Sequence, residues 1–167
     1  GKTVLQLSQD HPNRMEKLVV ADIAARAYTP HQGPIFDALR DVRPQQAATR
    51  EEVSDQLANQ LGSDPVLVPF LMKGLHRQKE GGFCWRFNVP VLQKSLEEVV
   101  GSIDLSVNTL PALFIRGSES DYVGDDDLER LQEHFLHMND HVISGAGHWL
   151  HAQAPEEFYA VTSDFLG

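Results

Sequence analysis

Near neutral pH a histidine works as a general base when a carboxylate fixes its tautomer and a turn leaves its far nitrogen open to the reacting group. The stretch Gly145-Ala-Gly-His148-Trp149-Leu-His151 has that character: small residues follow a short apolar run, His141 to Ser144, and present one imidazole. Two carboxylates stand where either could be its partner. Asp22 closes the β-branched run Lys17-Leu-Val-Val-Ala-Asp22, and Asp121 lies in the loop Gly117-Ser-Glu-Ser-Asp-Tyr-Val123 after the run Pro111 to Arg116. Such a pair can take a proton from a hydroxyl nucleophile and return it to a leaving group. The other histidines lack a comparable turn and read as ordinary surface or core side chains.

The elements that must place these groups alternate between helix and strand. Lys2 to Asp10 sets Val4, Leu5 and Leu7 on a helix-compatible face, and His11-Pro12-Asn13 breaks it, because proline cannot continue the hydrogen-bond ladder. Lys17 to Ile23 is a continuous apolar run of the kind found in parallel strands buried on both faces. From Tyr28 to Pro90 the strand signal gives way to helical patterns over Ile35–Val42, Thr49–Leu61 and Asp64–Leu75. Thr49-Arg-Glu-Glu52 is a capping box, and Ser63-Asp64-Pro65 opens the next helix with a cap and a first-turn proline. Gly81-Gly82 reads as a turn into an extended aromatic arm, Phe83 to Pro90.

A helix over Val91–Val100 follows, then a strand over Pro111–Arg116. Next come a helix over Asp125–Phe135 whose first-turn aspartates serve as caps, a strand over His141–Ser144 and a helix over Pro155–Leu166. The alternation predicts an α/β fold with a parallel sheet and right-handed crossovers, divided into core residues 1–27, a helical insertion 28–97 and core residues 98–167. In open parallel sheets functional groups gather beyond the carboxyl ends of the strands. Asp22, the Gly117–Val123 loop and His148 all fall at such ends.

Composition narrows the partners. A net charge of −10 without clustered Lys and Arg argues against nucleic acid, and no apolar run is long enough for a bilayer span. The single cysteine, Cys84, excludes an intrachain disulfide and fits a reducing, cytoplasmic setting. The eight histidines form no cluster with carboxylates at helical ligand spacing, and there is no glycine-rich phosphate loop, so neither metal nor cofactor is expected. Oligomeric state is left open.

Four segments carry a family resemblance. Gly1-Lys2-Thr3-Val4 resembles the end of the Gly-His-Ser-Met-Gly-Gly-Lys nucleophile elbow of α/β-hydrolases, and Arg14 to Ala24 resembles the strand that follows it. Gly145-Ala-Gly-His-Trp-Leu-His-Ala152 is similar to the histidine loop of the same proteins. Trp85-Arg-Phe-Asn-Val-Pro90 is similar to a lid segment of the small abhydrolase-domain esterases, which are related to bacterial acyl-ester and acyl-thioester hydrolases.

The resemblance implies the C-terminal portion of a parallel-sheet α/β-hydrolase core with an inserted helical lid. It implies a serine esterase or thioesterase acting on a small acyl substrate, with His148 as base. The serine would lie about three residues before Gly1, together with the oxyanion donors, so the chain alone is expected to be inactive. In many such proteins the acid stands three residues after the glycine that ends the second of these strands, a position held here by Ser120. In the resembled branch it can come from the strand after the elbow, which makes Asp22 the expected acid and Asp121 the alternative. Neither Ser120 nor Ser144 lies in a Gly-x-Ser-x-Gly turn, and neither is expected to act as nucleophile.

The lid and arm are expected to supply an acyl pocket from Phe36, Leu39, Phe70, Leu71, Met72, Leu75, Trp85 and Phe87, with Trp149 beside the imidazole. Other chemistries on the same fold, such as dehalogenation, epoxide opening or carbon–carbon hydrolysis, remain open, as does a binding module without catalysis.

Overall fold

A computed structural model describes residues 1–167. In chain order the elements are α1 (Lys2–Asp10), β1 (Leu18–Ala21), α2 (Gly33–Asp41), α3 (Arg50–Leu61), α4 (Leu67–Met72), β2 (Leu75–Arg77) and β3 (Phe83–Trp85). They continue with α5 (Val89–Lys94), α6 (Leu96–Val100), β4 (Ala112–Gly117), α7 (Asp125–His134), β5 (Met138–Ile143), α8 (Leu150–Gln153) and α9 (Pro155–Leu166). They form two compact units, one of Gly1–Tyr28 with Gly101–Gly167 and one of Thr29–Val100. No helix is long and apolar enough to cross a membrane.

The first unit is built on a three-stranded parallel sheet in the order β1-β4-β5. Strand side chains alternate between its two faces. Leu18 and Val20 of β1, with Ala112 and Phe114 of β4, pack with Leu5 of α1 and Leu128 and Leu131 of α7. Val19 and Ala21 point the other way and join Leu113, Ile115 and Ile143 against Leu150 of α8 and Phe158, Val161 and Phe165 of α9. Burial on both faces is why β1 and β4 are nearly unbroken apolar runs. Only β5 departs from that pattern, and it begins at Met138 rather than His141. Asn139 and Asp140 are exposed on this edge strand, where polar residues are compatible with pairing on one side.

The second unit is helical apart from one short antiparallel pair, β2 with β3. Its core gathers Leu39 and Val42 of α2, Val53 and Leu57 of α3, Val68 and Leu71 of α4, Leu75, Phe83 and Val89. Thr49 caps α3 by accepting from the Glu52 amide at 3.2 Å, while the Glu52 carboxylate accepts from Ala48 rather than from Thr49 itself. Arg50 at the start of α3 donates to the carbonyls of Met72 and Leu75, closing the end of α4.

Three further expectations need correction here. The extended arm expected over Phe83–Pro90 is a strand only over Phe83–Trp85, and Val89 and Pro90 already open α5. The helix predicted over Asp64–Leu75 is confined to Leu67–Met72. Asp64 accepts from the amides of Val66 and Leu67, and these two bonds hold its carboxyl below the ordinary range. Leu75 instead starts β2, paired with Trp85. The single helix predicted over Val91–Val100 is two, α5 and α6, parted at Ser95.

Candidate active site

At the end of β1 the backbone turns sharply. Asp22 has a φ of 49°, the one non-glycine residue with positive φ, a left-handed conformation that aspartate adopts more readily than most. Its amide donates to the Ile115 carbonyl at 2.7 Å, so the turn begins while still tied to β4. The Asp22 side chain is wholly buried, and three groups converge on it. His148 Nδ1 lies 2.8 Å from Oδ2, the Ser120 hydroxyl donates to the same oxygen, and the Gly117 amide approaches Oδ1 at 3.4 Å. A buried carboxylate surrounded by donors has its charge met by hydrogen bonds.

The imidazole is presented by a loop whose backbone is tied down on several sides. Gly145, at φ 70°, donates to the Ser118 hydroxyl at 2.8 Å, and Gly147 donates to the Gln153 side chain at 2.8 Å. The Glu119 amide reaches the Ala146 carbonyl at 2.9 Å. Leu150, fully buried, anchors the start of α8 directly after the turn. Gly117 is a necessity of close approach, because a Cβ there would sit 2.1 Å from the Ala146 carbonyl oxygen and 2.6 Å from that of Gly147. With 39% of its side chain exposed, His148 turns one edge to Asp22 and keeps accessible surface.

One face of the imidazole is covered by Tyr122, stacked at 3.8 Å between centroids and 16° between planes, and Trp149 stands edge-on at 6.1 Å. Burial raises the Tyr122 phenol above its ordinary value, with the charges of Asp22 and Asp121 adding to the effect. Thus the structure brings Asp22, His148 and Trp149 together. It places Asp121 in the exposed part of its loop, with its carbonyl accepting from Arg26 at 3.3 Å.

The remaining sequence-picked residues belong to the helical unit. Met72 is 9% exposed and sits in that unit's own core, as do Leu39, Leu71 and Leu75. Phe36, Trp85 and Phe87 pack against this core half-buried, with Trp85 stacked on Phe87 at 5.3 Å, and Phe70 is 46% exposed. No group of three or more His, Cys, Asp or Glu residues is arranged to hold a metal ion.

Sequence reading missed the Ser120–Asp22 bond and the aromatic face made by Tyr122. Both residues lie in the Gly117–Val123 loop already marked as a strand end, so a hydroxyl and a ring two positions apart there were the available signal.

No family model matches the chain. It is 36% identical to esterase YbfF of Escherichia coli (strain K12) over 157 residues, covering 93% of this chain and 59% of that protein. It is 29% identical to the sn-1-specific diacylglycerol lipase ABHD11 of Danio rerio over 174 residues, covering 99% of this chain and 54% of that protein. Among solved structures, a marine microorganism esterase superposes with a TM-score of 0.88 at 35% identity, over 98% of this chain and 66% of that one. E-2-(acetamidomethylene)succinate hydrolase superposes at 0.63 with 18% identity, over 98% of this chain and 62% of that one, a likeness of fold alone. The chain therefore spans little more than half the length of these curated relatives. With its parallel sheet, its strand-end carboxylate and histidine and these likenesses, the chain belongs to the α/β-hydrolase superfamily and is similar to members of its abhydrolase esterase branch.

Proposed function

We propose that the complete protein hydrolyses carboxylic esters or acyl thioesters, with His148 as general base and acid and Asp22 as the carboxylate that orients it. The observation that carries this reading is the 2.8 Å contact between His148 Nδ1 and the buried Oδ2 of Asp22, made while part of the imidazole stays exposed. Relatives named as esterases and lipases support the ester class.

In this reading Asp22 holds the Nδ1–H tautomer, which leaves Nε2 to accept the proton of an attacking serine hydroxyl. The imidazolium that forms is stabilised by the carboxylate and returns its proton to the leaving group. Water then repeats the sequence on the acyl-enzyme. The nucleophile belongs to a segment outside residues 1–167, since no Gly-x-Ser-x-Gly turn occurs within them. An acyl contact is assigned to Trp149 beside the imidazole.

Turnover of p-nitrophenyl acetate and butyrate, by the 167-residue chain and by the complete protein, tests the reading. The chain alone is expected to be inert and the complete protein active in a His148-dependent way. Serine-type turnover by the isolated chain that His148→Ala abolishes, or an inert complete protein, overturns it.

A further inference from the structure

The imidazole of His148 is gripped by two loops that come from different strands. Asp22, just past β1, holds its Nδ1 edge, and Tyr122, in the loop past β4, covers its face. Neither grip is useful unless the two loops keep a fixed spacing, because a base displaced by about 1 Å can lose roughly a hundredfold in rate. Two side-chain oxygens span the gap between them, and the Ser120 hydroxyl is the first, donating to Asp22 Oδ2 and accepting from the Tyr122 amide at 3.3 Å. The second, the Tyr28 hydroxyl, accepts from the Ala24 amide at 2.7 Å and donates to the Tyr122 carbonyl at 2.7 Å. Ala24 is two residues beyond Asp22 and is itself buried, so this bridge joins the backbone next to the carboxylate with the backbone of the stacked ring.

Tyr28 is in turn held from its ring. It stacks on the Tyr122 ring at 5.4 Å and 30°, and the Arg26 guanidinium lies over it at 4.2 Å. Arg26 also donates to the Tyr122 carbonyl at 3.2 Å and pairs with Asp127 at 3.1 Å, supporting the same junction from the side. Burial raises the Tyr28 phenol above its ordinary value, so its proton stays in place as a donor through the neutral range.

We propose that Tyr28 is a positioning residue for His148: its hydroxyl, with that of Ser120, sets the spacing between the Asp22 loop and the Tyr122 loop, and through them the orientation of the imidazole. This rests on the reading of His148 and Asp22 as base and carboxylate. The Tyr28→Phe variant removes the oxygen and keeps the ring, its stacking and its apolar burial. In the complete protein it is expected to lower kcat for p-nitrophenyl butyrate by about tenfold with KM unchanged within about twofold. The histidine ring resonances of His148 should shift relative to wild type in the same variant.

Wild-type kcat together with unmoved His148 resonances in folded Tyr28→Phe overturns the proposal. So does fast hydrogen exchange at the Ala24 amide of the wild-type protein, a measurement that does not depend on the variant folding. His148→Ala, run in parallel, separates the two ideas. If it retains turnover, the esterase reading fails while the resonance shift still decides the role of Tyr28. If it abolishes turnover and Tyr28→Phe changes nothing, only the role of Tyr28 fails.

Discussion

His148 Nδ1 meets Asp22 Oδ2 at 2.8 Å across 126 positions of sequence, and the strand order explains how. β1 and β5 flank β4 in one parallel sheet, so their carboxyl ends open on the same edge. Asp22 leaves β1 there in a left-handed turn, and the loop after β5 brings the imidazole back over the end of β4 at Gly117.

Asp22→Asn should separate charge from shape. It keeps the size of the side chain and its tolerance of the left-handed backbone but removes the charge to which the proposed mechanism assigns the tautomer, so kcat of the complete protein should fall by about 10³–10⁴. Asp22→Ala should in addition lower stability by about 1–3 kcal/mol in urea titrations, because the Ser120 hydroxyl and the Gly117 amide lose their acceptor.

Gly117→Ala should injure the same site without removing any polar group. The added methyl would press on the Ala146 and Gly147 carbonyls, so the histidine loop must move. Stability is expected to fall by about 1–3 kcal/mol, and kcat should fall with it, measured on the folded fraction by circular dichroism and ester turnover.

What was readable in the sequence divides along physical lines. Leu18–Ala21 and Ala112–Gly117 pack against apolar clusters on both faces and so advertise themselves as unbroken apolar runs. Asn139 and Asp140 hid the start of β5, because an edge strand exposed to water needs no apolar signature. Leu75–Arg77 is too short to show a period of two, and its partner across the Gly81-Gly82 turn is what makes it a strand. That Asp22 and His148 could meet was legible because Asp22 directly follows β1 and His148 stands in the small-residue turn after β5. The grip of Tyr122 on the imidazole and the Tyr28 bridge depend on contacts between residues far apart in the chain, which no local pattern records.

Leu150→Ala tests whether the histidine turn is anchored from beneath. Leu150 is fully buried among Leu113, Ile115 and Ile143, and truncating it should cost about 2–5 kcal/mol in urea titrations.

Thr49→Ala offers a contrast in the helical unit. Loss of the hydroxyl that caps α3 should cost about 1 kcal/mol and raise amide exchange within Arg50–Leu61, while the ring resonances of His148 stay where they are.

The most direct test of the central claim is the rate of p-nitrophenyl butyrate hydrolysis by the complete protein with His148→Ala, compared with wild type at neutral pH. A base that shuttles the proton in both half-reactions should be indispensable, so the rate is expected to fall by at least about 10³ with the melting temperature preserved. Turnover within a few-fold of wild type in the folded variant would contradict the assignment of His148 as the base.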